Sequence, residues 1–149
     1  MLSSKVIEFC QGKGWWHEDV PKENEEALQK LNIDLQSDFA QFYLHADDGP
    51  MFYSRHQEIY QICWVMENTV YLEDMTVAQL TLGLPEAYIP LDSFEGEGGF
   101  FYNRQTGEVV LVELGESIEL FLSGESRPEW PDFNTFLEWY FELEEEKAL

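Results

Sequence analysis

Gly99-Phe100-Phe101-Tyr102-Asn103-Arg104-Gln105-Thr106-Gly107-Glu108-Val109-Val110-Leu111-Val112-Glu113-Leu114 is the stretch that decides the fold. Gly99 to Tyr102 reads as a strand, because aromatic side chains fit a pleated, half-buried surface. Asn103 to Gly107 reads as a turn, with glycine placed where the backbone needs a positive φ. Glu108 to Leu114 returns as a second strand. Val110, Val112 and Leu114 fall on one of its faces, Val109 and Leu111 on the other. Two apolar runs joined by a short polar turn are a β-hairpin.

Downstream, Ser117 to Leu122 reads as a further strand. A loop carrying Pro128 and Pro131 then leads to a closing helix with Asp132 as its cap. Phe133, Phe136, Leu137 and Tyr140 recur at the spacing of one buried stripe. That helix runs into Glu144-Glu145-Glu146, an unfavourable charge at a helix C-terminus, so the tail is expected to fray. Upstream, Ile59 to Met66 is an apolar, β-branched and aromatic run that reads as strand. Residues 69–84 stay open between a helix through Val77, Leu80 and Leu84 and a strand ending at Tyr71-Leu72.

The first third of the chain is helical in pattern. Val6, Ile7, Phe9 and Cys10 suit a short helix behind Ser3 and Ser4, ended by Gly12 and Gly14. Pro21 opens a second helix with an acidic first turn (Glu23, Glu25, Glu26) and an apolar face of Ala27, Leu28 and Leu31. Ser37 caps a third, whose Phe39, Phe42, Tyr43 and Ala46 follow the i, i+3, i+4, i+7 rule. Asp47-Asp48-Gly49-Pro50 stops it. Helices, then a meander of strands, then a helix argue a single α+β domain over residues 1–149. A central, mostly antiparallel sheet is expected, flanked by N-terminal helices and a C-terminal helix.

Charge narrows the function classes. Thirty acids against eight bases leave the 149-residue chain at −22. No Lys or Arg lies between Arg55 and Arg104, while Glu58, Glu67, Glu73, Asp74, Glu86, Asp92, Glu95 and Glu97 do. Such a surface repels nucleic acid backbones and anionic membranes and steers cationic partners inward. Solubility alone is the competing explanation of the charge. Met1 to Gln11 has no sustained apolar stretch and no segment reaches spanning length, so a cytoplasmic protein is expected. Cys10 and Cys63 sit in apolar patterns and read as buried free thiols.

Catalytic motifs are missing from the sequence. It has no CxxC and no HExxH, and His17, His45 and His56 lack partners at ligand spacing. Gly96-Glu97-Gly98-Gly99 is followed by no lysine, so it reads as a turn and not a phosphate cradle. There is no GxSxG elbow, and Asp47-Asp48-Gly49 lacks the alternating oxygens of a calcium loop. The reading is non-enzymatic, without metal or cofactor. Among the five tryptophans, Trp15 and Trp16 are adjacent in a loop, where at least one is expected to be partly exposed. Trp130, between two prolines, stands evenly between core and interface.

The pattern resembles the SUKH superfamily, which includes fungal cell-wall regulators of the Smi–Knr type and bacterial toxin-immunity proteins. The similarity is carried by Leu35-Gln36-Ser37-Asp38-Phe39, Phe42-Tyr43-Leu44, Asp47-Asp48-Gly49-Pro50, Glu97-Gly98-Gly99, Thr106-Gly107-Glu108-Val109 and Phe133-Asn134-Thr135-Phe136-Leu137-Glu138-Trp139. Gln36 stands where the family usually has proline, and Gly49-Pro50 where it has a glycine pair. Tyr88-Ile89-Pro90-Leu91 looks like the family's strand at the sheet centre. The resemblance implies an α+β fold and an immunity function: binding and blocking a cognate toxin, frequently a nuclease or deaminase. A non-enzymatic adaptor or regulator is the alternative.

An acidic protein can fill the basic cleft in which a nuclease holds its substrate, its carboxylates pairing with Arg and Lys. The expected binding surface is two loops with one tryptophan. The first loop carries Asp47, Asp48, Met51 and Tyr53, and the second Asp92, Glu95 and Glu97; Trp130 is the added aromatic. A solvated loop is the competing reading of each.

Overall fold

A computed structural model describes residues 1–93, 98–113, 122 and 130–143. The expected further strand at Ser117 to Leu122 and the acidic tail fall largely or wholly outside those residues. The hairpin is present as β4 (Gly98–Asn103) and β5 (Val109–Glu113), antiparallel, with Phe100 opposite Leu111 and Tyr102 opposite Val109. Its turn closes through Gly107, at φ 85°, whose N–H donates to the Asn103 carbonyl at 2.8 Å. The Asn103 side chain accepts from the amides of Gln105 and Thr106 at 2.8 and 3.0 Å. A side chain bonding its own turn is why Asn is favoured there.

β3 (Tyr88–Pro90) pairs antiparallel with the other side of β4. Among the described strands β4 is therefore the centre, and the expectation that Tyr88 to Leu91 holds that place is corrected. Pro90 has no N–H to give a second neighbour, which suits an edge. A separate hairpin pairs β1 (Met51–Ser54) with β2 (Gln57–Tyr60), and Phe52 faces Ile59 across it. Met51 to Tyr53, expected as loop, is thus strand. The hairpins meet where the Tyr60 amide donates to the Leu91 carbonyl at 2.7 Å.

The three-stranded sheet is covered on both faces. Phe100, Tyr102 and Val109 enter the main core, where Phe39 stacks on Tyr102 at 4.1 Å and Phe136 meets Phe100 edge-on at 5.1 Å. Phe101, Val110 and Val112 form a second cluster with Leu84. The two-face split of the hairpin valines is the one their alternation predicts.

The helices on the first face follow their caps. α1 (Ser4–Gly12) begins at Ser3, whose hydroxyl accepts from the Val6 amide. α2 (Lys22–Lys30) follows Pro21. Ser37 Oγ accepts from the Ala40 amide at 3.1 Å to start α3 (Asp38–His45). Asp132 Oδ1 accepts from Thr135 at 2.7 Å to start α6 (Phe133–Tyr140). The stripes expected on α3 and α6 are fully buried.

Two expectations change in the middle of the chain. The run from Ile59 to Met66 is strand only as far as Tyr60; beyond Gln61 it is helix α4 (Ile62–Asn68). Gln61 decides this, since its Oε1 accepts from the Trp64 amide at 3.1 Å and caps the new helix. Residues 71–82 form helix α5 (Tyr71–Leu82), but Val77 and Leu80 face outward. The inward row holds Tyr71, Met75, Ala78 and Gln79. Polar tips select that face. Tyr71 donates to the Pro90 carbonyl at 2.6 Å, and Gln79 Nε2 to the Glu86 and Tyr88 carbonyls at 3.2 and 2.9 Å.

Candidate protein-binding surface

The turn after α3 presents Asp47 and Asp48 to solvent. Asp47 Oδ1 accepts from the Gly49 amide at 3.0 Å, which holds the turn. The segment is anchored from both sides: the Asp47 amide donates to Trp15 O at 3.0 Å, and the Gln61 amide to Pro50 O at 2.8 Å. Trp15 and Trp16 are both half-buried. Trp15 packs edge-on against Phe52, while Trp16 stacks on His45 at 4.8 Å. Asp47 opens on a hollow of about 490 Å³ beside Trp16, His17, Glu18 and Asp19.

Alternation along β1 places Met51 half-buried, Phe52 in the core and Tyr53 outside, with Tyr53 62% exposed. Arg55 and His56 turn the hairpin with φ of 53° and 62°. Arg55 also ties it to α6, its Nε donating to the Trp139 carbonyl at 2.6 Å and its guanidinium lying 4.3 Å from that indole.

Tyr53 shares a second hollow, of about 440 Å³, with Glu58, Asp92, Leu111 and Glu113. Glu58 sits opposite Tyr53 across the hairpin, Glu113 opposite Gly98 across β4 and β5. Asp92 is held in place by accepting the Phe100 amide at 3.3 Å. The seam between the two sheets thus gathers three carboxylates around an exposed phenol and an exposed leucine. Such a set suits guanidinium and ammonium groups, through charge-assisted hydrogen bonds and the face of the ring.

Of the residues expected at the surface, the structure brings Tyr53 and Asp92 together and sets Asp47 on a different hollow. Glu95 and Glu97 lie outside the described residues. Trp130 sits in the core at 8% exposure, exchanging both main-chain bonds with Val109 and packing on Phe100 and Phe136. Of its two readings, packing is the one its position matches. Glu113 was missed; its outward place in an alternating strand was the available signal.

Burial raises the Cys10 thiol to about 12, and burial with the charges of Glu67 and Asp47 does the same to Cys63, so both stay neutral. Neither suits nucleophilic work, which needs thiolate. Among the described residues no group of three His, Cys, Asp or Glu is arranged to hold a metal, and no helix is long and apolar enough to cross a membrane.

An α+β domain with an acidic, aromatic-bearing seam is the class these observations define. The chain belongs to the SMI1 / KNR4 family (SUKH-1), whose family model matches residues 21–139. The family is one known for toxin-immunity roles. No curated protein and no solved structure matches the chain.

Proposed function

We propose that this protein is an immunity protein that neutralises a cognate toxin with a basic surface, a nuclease or deaminase, by occupying its substrate cleft. The observation that carries the reading is the seam where Tyr53 stands among Glu58, Asp92 and Glu113. Its carboxylates take the place of substrate phosphates against the toxin's Arg and Lys, and Tyr53 supplies a desolvated anchor. The net charge of −22 speeds capture. Asp47 and Asp48 extend the negative field from the neighbouring turn.

The test is co-expression with the product of the adjacent gene, scored for rescue from toxicity and for complex formation. Glu58→Lys with Glu113→Lys should slow association and abolish rescue while the fold persists. Affinity unchanged between about 0.05 and 0.5 M salt would sink the electrostatic reading. A bound partner without toxic activity would point instead to an adaptor of the Smi–Knr type.

A further inference from the structure

α5 carries an outward apolar face that the core does not use. Val77 is 60% exposed and Leu80 78%, with Val70 and Leu72 also exposed nearby. Exposed apolar side chains scattered singly are ordinary, but Val77 also lines a concave, largely apolar site. That site is a groove of about 600 Å³ between α5 and the ends of β2 and β3. Tyr60, Val77, Ala78 and Pro90 wall the groove, and Asp74 and Asp92 stand at its rim.

The charge selects the occupant. A second copy of this chain would bring Glu73, Asp74 and Asp92 against their like, each copy at −22. An anionic membrane is repelled for the same reason. An apolar wall rimmed by acid matches an apolar side chain flanked by cations. We infer that the α5 groove is the hydrophobic anchor site for a cationic protein segment, one carrying an aliphatic or aromatic side chain between Arg or Lys residues. This rests on the proposed binding of a basic partner and adds where the partner's apolar contact falls. Asp92 and Ser93 border both this groove and the Tyr53 hollow, so one partner can span the two.

The experiment uses the full chain and two synthetic peptides of equal positive charge. One has Leu-Trp-Leu between two Arg pairs; the other has Gly-Ser-Gly there. Calorimetry should give about tenfold tighter binding for the first, the worth of burying one large apolar side chain. Its amide shift changes should centre on α5 and Tyr60. Val77→Gln, in the groove wall, should erase the preference and leave the melting temperature unchanged, since the side chain is largely exposed; Leu80→Gln, outside the lining, should keep it. Equal affinities with shifts confined to Tyr53 and Glu58 would overturn the anchor and leave the acidic seam standing. Binding of neither peptide would overturn both. A preference that survives Val77→Gln would overturn the assignment to α5.

Discussion

Gln61→Met tests whether one buried amide ties the end of α3 to the start of α4. Gln61 is 2% exposed. Its Nε2 donates to the Tyr43 and Ala46 carbonyls at 2.9 and 2.8 Å, at the C-terminal end of α3. Its Oε1 caps α4 through Trp64. Methionine fills similar space without these bonds. Loss of the cap costs about 1 kcal/mol. Each buried carbonyl left without a donor costs roughly 1–3 kcal/mol. Tyr43 O keeps a weak contact from Cys63 Sγ at 3.6 Å, so the lower end applies there. The sum is about 3 kcal/mol, or a melting temperature lower by roughly 10 °C for a chain of this size. Urea unfolding followed by tryptophan fluorescence measures it. Gln57→Met, at an exposed position, is the control and should stay within about 0.5 kcal/mol. A loss below about 1 kcal/mol at position 61 would refute the role, because α3's carbonyls would then have found other donors.

Tyr43→Phe should be neutral or stabilising by about 1 kcal/mol, read in the same assay. The Tyr43 hydroxyl is buried with no hydrogen-bond partner among the described residues. Tyr140→Phe should lose about 1–2 kcal/mol, since that hydroxyl donates its one proton to the Gln57 carbonyl at 2.6 Å, with the Phe52 carbonyl 3.1 Å away. Cys10 and Cys63 should resist iodoacetamide at pH 8 in the native protein and react in urea; rapid native labelling of both would contradict their burial. Glu67 has its carboxyl raised by burial first and then by the charge of Glu23. Its folded pKa thus lies above the unfolded one, and its ionisation removes stability as pH rises through the carboxylate range. Glu67→Gln should therefore stabilise at pH 7 by a few tenths of a kcal/mol, screened as a mostly exposed group is, with the gain gone below about pH 4. A gain that persists at pH 3 would show another cause.

The candidate surface was half legible. The acids between Arg55 and Arg104 follow from counting, whereas the outward place of Tyr53 rests on a strand where the sequence pattern predicts a loop. That Tyr53 meets Asp92 does not follow from counting either, because their approach depends on how two hairpins dock through Tyr60 and Leu91. Trp130 shows the reverse difficulty: flanking prolines mark a loop in the sequence, and only the bonds to Val109 reveal that this tryptophan belongs to the core.

Local chemistry in the chain determined the hairpin turn at Gly107, the caps Ser37 and Asp132, the buried stripes of α3 and α6, and the excess negative charge. Each rests on contacts within a few residues, so pattern alone carries it. Tertiary structure decided where the run beyond Tyr60 becomes helix, which face of α5 turns inward, and which strand lies at the centre. Those choices are made by side chains such as Gln61 and Tyr71 reaching main-chain carbonyls 15 to 19 positions away. A short apolar run satisfies either period, and only the distant acceptor settles which one is buried.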